Sequence, residues 1–376
     1  MKWEKVKLGN VTDSCLGKML DQNKNKGDYQ PYLANVNVRW GEFDLEDLPL
    51  MKFEESEQER YELKYGDLVI CEGGEPGRCA IWKEQIPNMK IQKALHRVRV
   101  HDCLDYRYLF YWFLLAGKTG ELDQYFTGAT IKHMPGQKLK EVVIDKPPLE
   151  IQHRIADILS AYDDLIENNQ KQIKLLEEAA QRLYKEWFVD LRFPGHENTK
   201  IVDGVPEGWS RGLLKELISV NYGKDHKKAP DDGNIPVYGS GGLMRKCNKS
   251  LFSGEAVLIP RKGSLNNIMY VDETFWTVDT MFYATMKQPH TAVFVYFFVK
   301  AFDMYSMNIG AAVPSMTTKI LDAMDVVIPD KETLEKFDKR AKVYFNKIKT
   351  LQGQNERLKT ARDLLLPKLM NGKVEV

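Results

Sequence analysis

The apolar residues of 149–190 recur at the spacing of one face of an α-helix. With Ile155 at position a of a heptad, the same position recurs at Tyr162, Asn169, Leu176 and Leu183. Further apolar residues fall at positions d and e, namely Ile158, Leu165 and Ala179 at d, and Leu159, Ile166, Ile173, Ala180 and Trp187 at e. So wide a stripe predicts a long helix that packs against one partner helix and a further element.

A second apolar stripe occupies 330–376 and repeats the first in phase. Its a positions are Phe337, Tyr344, Leu351, Leu358 and Leu365, and each lies 182 residues after an a position of the first stripe, as in 337 − 155 = 182. The shared register favours an antiparallel coiled coil of the two helices, paired through these five residues together with Ile155, Tyr162, Leu176 and Leu183. The alternative is that each helix packs only on its own domain.

The blocks before each helix are rich in short apolar runs, aromatic residues and turn residues, which predicts mainly strands, with one helix over 105–117. The blocks also repeat one another, because Trp3 and Leu8 match Trp209 and Leu214, and 128–129 matches 310–311. The predicted fold class is therefore α+β, with two similar globular domains and pseudo-twofold symmetry. The predicted divisions are a first domain at 1–148, a long helix at 149–190, a linker at 191–208, a second domain at 209–329 and a C-terminal long helix at 330–376.

Composition and charge narrow the possible setting and partners. No apolar signal core opens the chain, the longest apolar run (292–299) is too short to span a bilayer, and the five cysteines form no C-x-x-C pair. These features favour a reduced, cytoplasmic location. The net charge is only +1, but 209–270 holds 10 Lys or Arg against 5 Asp or Glu. Binding of a polyanion is therefore expected to be local.

No sequence pattern for catalysis or for a cofactor stands out. A complete P-loop and a G-x-G-x-x-G turn are both missing, and 146–149 (KPPL) does not match the loop of an adenine methyltransferase. His96 and His101 are expected on opposite faces of a strand, which argues against a shared metal. The sequence therefore predicts a non-catalytic component with no cofactor and no metal.

The motifs, taken in order along the whole chain, resemble those of the specificity subunits of type I restriction-modification systems. The matching segments are 128–134 (GATIKHM), 147–159 (PPLEIQHRIADIL), 254–263 (GEAVLIPRKG) and 364–372 (LLLPKLMNG). The first copy departs from the pattern, since 71–74 (CEGG) stands where the second copy has 260–263 (PRKG).

This resemblance implies a DNA-recognition subunit without catalytic residues. Each globular domain would be a target-recognition domain that reads one half of an asymmetric bipartite site in double-stranded DNA. The paired helices would set the spacer and dock two modification (methyltransferase) subunits. Restriction subunits, which form an ATP-dependent translocase and nuclease, would join through the complex, and no membrane would be involved.

Polar and basic residues in the turn-rich segments are the candidate DNA contacts, because arginine, lysine, glutamine and histidine supply the donors for base edges and phosphates. In the first domain they are Arg78, Lys90, Gln92, Lys93, Lys132 and His133. In the second they are Lys224, His226, Lys227, Lys228, Arg245, Lys246, Arg261 and Lys262. The alternative for each residue is an ordinary solvated surface group.

Two other functions remain open at this point. A coiled-coil protein–protein scaffold without DNA specificity would use the apolar stripes to bind partner helices. An autonomous nuclease or methyltransferase would be active as the isolated chain. Binding of DNA that weakens steeply with salt separates the first of these from a DNA reader.

Overall fold

The computed structural model describes residues 3–21, 25–307 and 315–374, except for the side chain of Lys228. The chain divides into a first unit, Met1–Asn168 with Gln354–Val376, and a second unit, Asn169–Gly353. Helices and strands are mixed in both units, so the predicted α+β fold class is confirmed. Residues 310–311, which the sequence repeat matches with 128–129, lie outside the described residues.

The first unit combines a central sheet with a smaller one. Its strands are β1 Glu4–Lys7, β2 Thr12–Leu16, β3 Asp28–Leu33, β4 Leu50–Phe53, β5 Leu68–Cys71, β6 Cys79–Ile81, β7 Lys90–Ile91, β8 Leu95–Val100 and β9 Val143–Lys146. Its short helices are α1 Gln58–Tyr61, α2 Tyr106–Thr119 and α3 Gly136–Glu141. The strand orders are β1-β9, β2-β8-β5-β6 and β4-β3-β7, with β3 and β7 parallel.

Helix α2 covers the predicted helix almost residue for residue. Its N-terminus is capped by Asp105, whose side chain accepts hydrogen bonds from the backbone amides of Arg107 and Tyr108. Gly120 ends the helix in the left-handed conformation, with φ 76°. The apolar face of α2 packs on the central sheet and closes the main core of the first unit.

The long helix predicted at 149–190 is α4, Leu149–Tyr184, and it continues as a π-helical turn, Lys185–Val189. It contributes 149–168 to the first unit and the remainder to the second.

The second unit repeats the first in topology. Its strands are β10 Ile201–Val202, β11 Val205–Pro206, β12 Ser210–Leu213, β13 Ile218–Tyr222, β14 Ile235–Gly239, β15 Gly242–Cys247, β16 Phe252–Pro260, β17 Met269–Thr277, β18 Met281–Met286 and β19 Asp325–Ile328. Its other helices are α5 Ala292–Lys300, α6 Thr318–Asp322 and the long α7 Lys331–Met370, which extends into the first unit.

Strand pairing shows the repeat more clearly than the sequence does. β12 pairs with β19 as β1 pairs with β9, and β13-β18-β16-β17 has the order of β2-β8-β5-β6. β14 pairs antiparallel with β15 and parallel with β17, as β3 does with β4 and β7. The long β17 therefore occupies the places of both β6 and β7.

In the first unit, the segments of α4 and α7 run antiparallel. Ile155 and Leu159 of α4 share the main core with Leu366 and Leu369 of α7. One turn further along α4, Asp163 forms an ion pair with Arg362, which lies one turn before Leu366 in α7. A later residue of α4 therefore pairs with an earlier residue of α7. Tyr162, Leu358 and Leu365, which the register assigned to the pairing, are half-buried there.

In the second unit, the later part of α4 packs against the start of α7. The ring of Phe337 lies 5.9 Å from that of Trp187 and 6.3 Å from that of Tyr184. Tyr344 lies further back along α4, beside Leu183. Leu351 is buried, and Leu176 is half-buried.

The buried face of α4 departs from the predicted stripe at position d. Ile158 and Leu165 are 38% and 51% exposed, whereas Ile155, Leu159 and Ile166 are buried. The first unit therefore buries the a and e positions, because its sheet domain and α7 approach that side of the helix. Among the helices of the described residues, none combines the length and the apolar character needed to cross a membrane.

Candidate nucleic-acid interface

Four loops meet in each unit and form what we call the first and second loop clusters. The first loop cluster consists of 17–18, 72–74, 92–94 and 133–134, and the second of 223–224, 261–263, 278–280 and 315–316. In both clusters, strand ends and turn residues are held together by backbone hydrogen bonds between loops that are distant in sequence.

Five backbone hydrogen bonds of the first loop cluster have a counterpart in the second. In the first, amides donate to carbonyls as Gly17→Leu95 2.9 Å, Lys18→Ile91 3.0 Å, Glu72→Ala94 2.8 Å, Gln92→Leu33 3.0 Å and Met134→Glu72 2.7 Å. In the second, the equivalents are Gly223→Met281 3.0 Å, Lys224→Thr277 3.0 Å, Arg261→Thr280 2.8 Å, Val278→Tyr238 3.0 Å and Met316→Arg261 2.9 Å. Bridges Gly73–His133 and Lys262–Ser315 complete the match. One backbone framework therefore presents two different sets of side chains.

A glycine is required at the same place in both frameworks. A β-carbon on Gly17 would lie 2.4 Å from the carbonyl oxygen of Gln92, and one on Gly223 would lie 1.9 Å from that of Val278. No side chain fits at such distances, so the close approach of these loops depends on glycine.

The side chains at matched positions differ in charge. Glu72 and Gly73 of the first loop cluster correspond to Arg261 and Lys262 of the second. Lys18 is 3% exposed, pairs with Glu57 and donates to the carbonyl of Lys52 at 2.9 Å, so its charge serves the fold. Its counterpart, Lys224, is exposed. The second loop cluster is thus the more basic of the two.

Arg78 holds the first loop cluster together. Its guanidinium donates to Glu75 at 3.1 Å, and to the backbone carbonyl and side-chain oxygen of Asn35 at 3.2 and 2.8 Å. The side-chain amide of Asn35 in turn donates to the backbone carbonyl of Gly73 at 2.7 Å. Asn35, which the sequence motifs did not single out, therefore fixes the turn that carries Glu72 and Gly73.

Lys90 is not available to DNA in this structure. Its side chain is 0% exposed and its ammonium group lies 2.7 Å from a carboxylate oxygen of Glu62. Met89 and Ile91 on either side are also fully buried, so this short segment lies in the core. Glu62 lies 28 residues earlier in the chain, and the sequence alone does not reveal that it pairs with Lys90.

The remaining candidates of the first unit lie at the rim of the first loop cluster. Gln92 is half-buried, and Lys93 and His133 are exposed. Lys132 is 56% exposed, lies 3.4 Å from Asp123, and has its ammonium group 5.7 Å from the ring centre of Phe126.

In the second unit, the exposed candidates are Lys224, Lys227, Lys246 and Lys262, and His226 is half-buried. The side chain of Lys228 lies outside the described part of the chain. Arg245 pairs with Asp231 and donates to the carbonyl oxygens of His226 and Ala229, the latter at 2.7 Å, so it braces a turn. Arg261 differs, because its guanidinium lies over the ring of Tyr222 and donates only weakly, at 3.3 Å, to the carbonyl of Asp279.

Two buried groups behind the first loop cluster are held uncharged. Burial lowers the pKa of His96, although its Nε2 lies 3.0 Å from the carbonyl of Met134. Burial also raises the pKa of the Cys71 thiol to about 11, with Arg78 opposing that shift. Neither group carries charge to the surface at neutral pH. Within the described residues, no three His, Cys, Asp or Glu side chains are grouped so that they could hold a metal ion.

Comparison with known proteins identifies the family. The family model described as "Type I restriction modification DNA specificity domain" matches residues 1–178 and 206–360. The type I restriction enzyme MjaIX specificity subunit of Methanocaldococcus jannaschii is 27% identical over 352 residues, which cover 83% of this chain and 78% of that one. The MjaVIII specificity subunit of the same organism is 24% identical, with 100% and 93% covered.

The fold is also similar to that of a solved structure. The type I restriction-modification system S subunit from M. genitalium superimposes with a TM-score of 0.58 at 19% identity, covering 98% of this chain and 96% of that one. The family model matches both copies of the repeat and most of the chain. The chain therefore belongs to the type I restriction-modification DNA specificity family, and it is a specificity subunit that recognises a DNA target.

Proposed function

We propose that the chain reads an asymmetric bipartite site in double-stranded DNA, one half with each loop cluster. The observation that supports this most directly is the matched backbone framework with unmatched side chains. A shared framework suits the same approach to a duplex, since base edges are read by side chains projected into a groove. Different side chains on that framework suit two different half-sites.

The domain bounds expected from the sequence, 1–148 and 209–329, belong to this proposal as target-recognition domains. The linker 191–208 joins the first half of the chain to the second. The candidate contacts are those that face solvent: Gln92, Lys93, Lys132 and His133 in the first domain, and Lys224, His226, Lys227, Lys246, Arg261 and Lys262 in the second. Arg78 and Arg245 have positioning roles, and Lys90 is left out because it is buried.

The long helices are proposed to set the spacer and to dock two modification subunits. Their support is the 182-residue repeat of one apolar stripe, which offers similar surfaces twice. Exposed apolar side chains also occur along both helices, at Leu165, Leu175, Val343 and Leu364.

The chemistry of modification and restriction is proposed to lie in the partner subunits, so that this chain works without a catalytic site or a cofactor of its own. The relatives that it matches carry the name of specificity subunits. Purified alone, the chain is expected to neither methylate nor cleave DNA.

Exchange of residues 209–329 for the equivalent domain of another specificity subunit tests the proposal. Methylation sequencing of a host that carries the complete system is expected to show one half of the methylated sequence changed and the other half kept. Loss of both halves from a complex that still assembles would contradict modular reading.

Salt dependence separates a DNA reader from a protein scaffold. With several phosphate contacts, log K falls with log salt at a slope of about −0.9 per contact. A full complex whose DNA affinity does not change with salt would favour the coiled-coil scaffold instead.

A further inference from the structure

Arginine is the side chain that most often reads guanine, and three of the candidate DNA contacts are arginines with different surroundings. The guanidinium groups of Arg78 and Arg245 each pair with a carboxylate and also donate to backbone carbonyls. The terminal nitrogens of both groups donate within the fold. Neither group is free to turn to a base without breaking the turn that it holds.

Arg261 is held in place without being neutralised. Its backbone amide donates to Thr280 at 2.8 Å, and its carbonyl accepts from Met316 at 2.9 Å, so the main chain is fixed on both sides. Within the described ranges, no carboxylate forms an ion pair with its guanidinium, and its single hydrogen bond there is the 3.3 Å contact with the carbonyl of Asp279. Most of its five N–H donors therefore remain available.

Two aromatic rings support this guanidinium, one buried in the core and the other exposed. Phe282 is 1% exposed, and its ring packs edge-on against that of Tyr222 with centroids 5.1 Å apart. Tyr222 is 53% exposed, and the guanidinium carbon of Arg261 lies 5.5 Å from its ring centre. Stacking on an aromatic face limits the rotamers of an arginine, and this lowers the entropy cost of a directed contact.

The free edge of a planar guanidinium matches one base in particular. Guanine presents two acceptors, O6 and N7, side by side in the major groove, and two parallel N–H donors satisfy both. From this geometry we infer that Arg261 is a specificity-determining residue, which reads the guanine of a G·C pair in the half-site of the second unit. The inference rests on the proposed function, in which that unit reads one half-site.

The matched position in the first unit carries an acidic residue in place of the arginine. Glu72 occupies the place of Arg261, with its amide bonded to Ala94 and its carbonyl to Met134 in the same way. A carboxylate accepts hydrogen bonds and cannot donate to O6 and N7. The first half-site is therefore read differently at the equivalent base pair, as a two-part asymmetric target requires.

Methylation sequencing of hosts that carry the complete system tests this with three variants. Arg261→Ala is expected to relax one G·C position in one half of the motif, with preference for that pair falling about 5- to 150-fold, the range for a bidentate contact. Arg261→Lys keeps the positive charge but loses the planar pair of parallel N–H donors, and it is expected to relax the same G·C position. Arg211→Ala removes an exposed arginine of β12, outside the loop cluster, and should leave the motif unchanged.

Binding of the full complex to oligonucleotides provides the second readout. With Arg261→Lys, the salt slope is expected to stay at the wild-type value while discrimination at the one pair is weakened. A slope reduced by about 1 in Arg261→Ala, with every base preference kept, would mark a phosphate contact and overturn the inference. A wild-type half-site without any G·C pair would overturn it as well.

These outcomes are distinct from failure of the proposed function. If the wild-type motif is not bipartite, or if Arg261→Ala alters both halves, the assignment of one half-site to each unit fails. If the motif is bipartite and Arg261→Ala leaves it intact, only the role of Arg261 fails. Thermal unfolding of the purified complexes verifies that both Arg261 variants are folded.

Discussion

The indole nitrogen of Trp209 donates a hydrogen bond to Oδ2 of Asp330 across 3.0 Å. The same carboxylate accepts from the backbone amide of Thr333 at 2.9 Å and from its hydroxyl at 2.6 Å. Asp330 therefore ties the start of β12 to the first turn of α7. Burial acts to raise the pKa of Asp330, but the hydrogen bonds from Thr333 and Trp209 outweigh it and hold the pKa below its usual range.

Asp330→Asn is expected to lower the free energy of unfolding by about 0.5–1 kcal/mol at neutral pH, because a charged cap near the helix N-terminus is lost. A lowered folded-state pKa means that the stabilisation is complete above the unfolded pKa near 3.9 and disappears as pH falls through the lower folded value. Urea unfolding of both proteins from pH 7 to pH 3 is expected to give a difference that shrinks toward zero. Asp325→Asn, on the exposed side of β19, is the control.

Gly223→Ala is expected to lower the free energy of unfolding by about 1–3 kcal/mol, because the new methyl group collides with the carbonyl of Val278. The displaced loop should also weaken reading of the second half-site and leave the first intact. Gly17→Ala is expected to weaken reading of the first half-site and to leave the second intact. Gly241→Ala, with no atom within 4 Å of the new carbon, should change stability by less than about 0.5 kcal/mol. Equal stability of Gly223→Ala and Gly241→Ala would contradict the steric account.

Arg362→Gln is expected to lower the free energy of unfolding by about 1–3 kcal/mol, the cost of losing hydrogen bonds between charged groups that are partly buried. The guanidinium pairs with Asp163 of α4, which also accepts from the hydroxyl of Tyr111 at 2.6 Å. Burial raises the pKa of Tyr111, so that hydroxyl stays a donor over the working pH range. Lys359→Gln removes a cation that is 48% exposed on the same helix, and it should cost less than about 0.5 kcal/mol.

Insertion of seven residues after Asn168 and seven after Gly353 tests the helices as a ruler. Two added helical turns lengthen each helix by about 10 Å at 1.5 Å per residue, or about 3 base pairs at 3.4 Å each. Methylation sequencing is expected to show both half-sites kept and the spacer longer by about that number. The same insertion after Glu197, in the linker, is the control and should leave the spacer unchanged. A constant spacer in the helix variant would argue against the ruler.

The elements that depend on local pattern could be predicted from the sequence. The apolar stripes of 149–190 and 330–376 predicted α4 and α7, and the offset of 206 residues that places Trp3 on Trp209 also places Gly17 on Gly223. Both signals are periodicities, and periodicity follows from the geometry of a helix or from duplication of a domain.

The environment of single charges could not be predicted in the same way. Lys90 pairs with Glu62, and Arg78 with Asn35, which lies 43 residues earlier. Sequence alone does not reveal such partners, because they are brought together by loop closure. Ile158 shows the same limit for an apolar residue, since the direction from which a domain approaches decides which side of a helix is buried.

The second unit is one uninterrupted stretch, Asn169–Gly353, whereas the first is assembled from both ends of the chain. In the gene, a single internal segment therefore encodes one complete unit together with its own portions of α4 and α7. Recombination at two points within the helix-coding regions replaces that unit whole and leaves the first intact. The segments that encode 1–168 and 354–376 must instead be inherited as a matched pair, because neither closes a unit without the other.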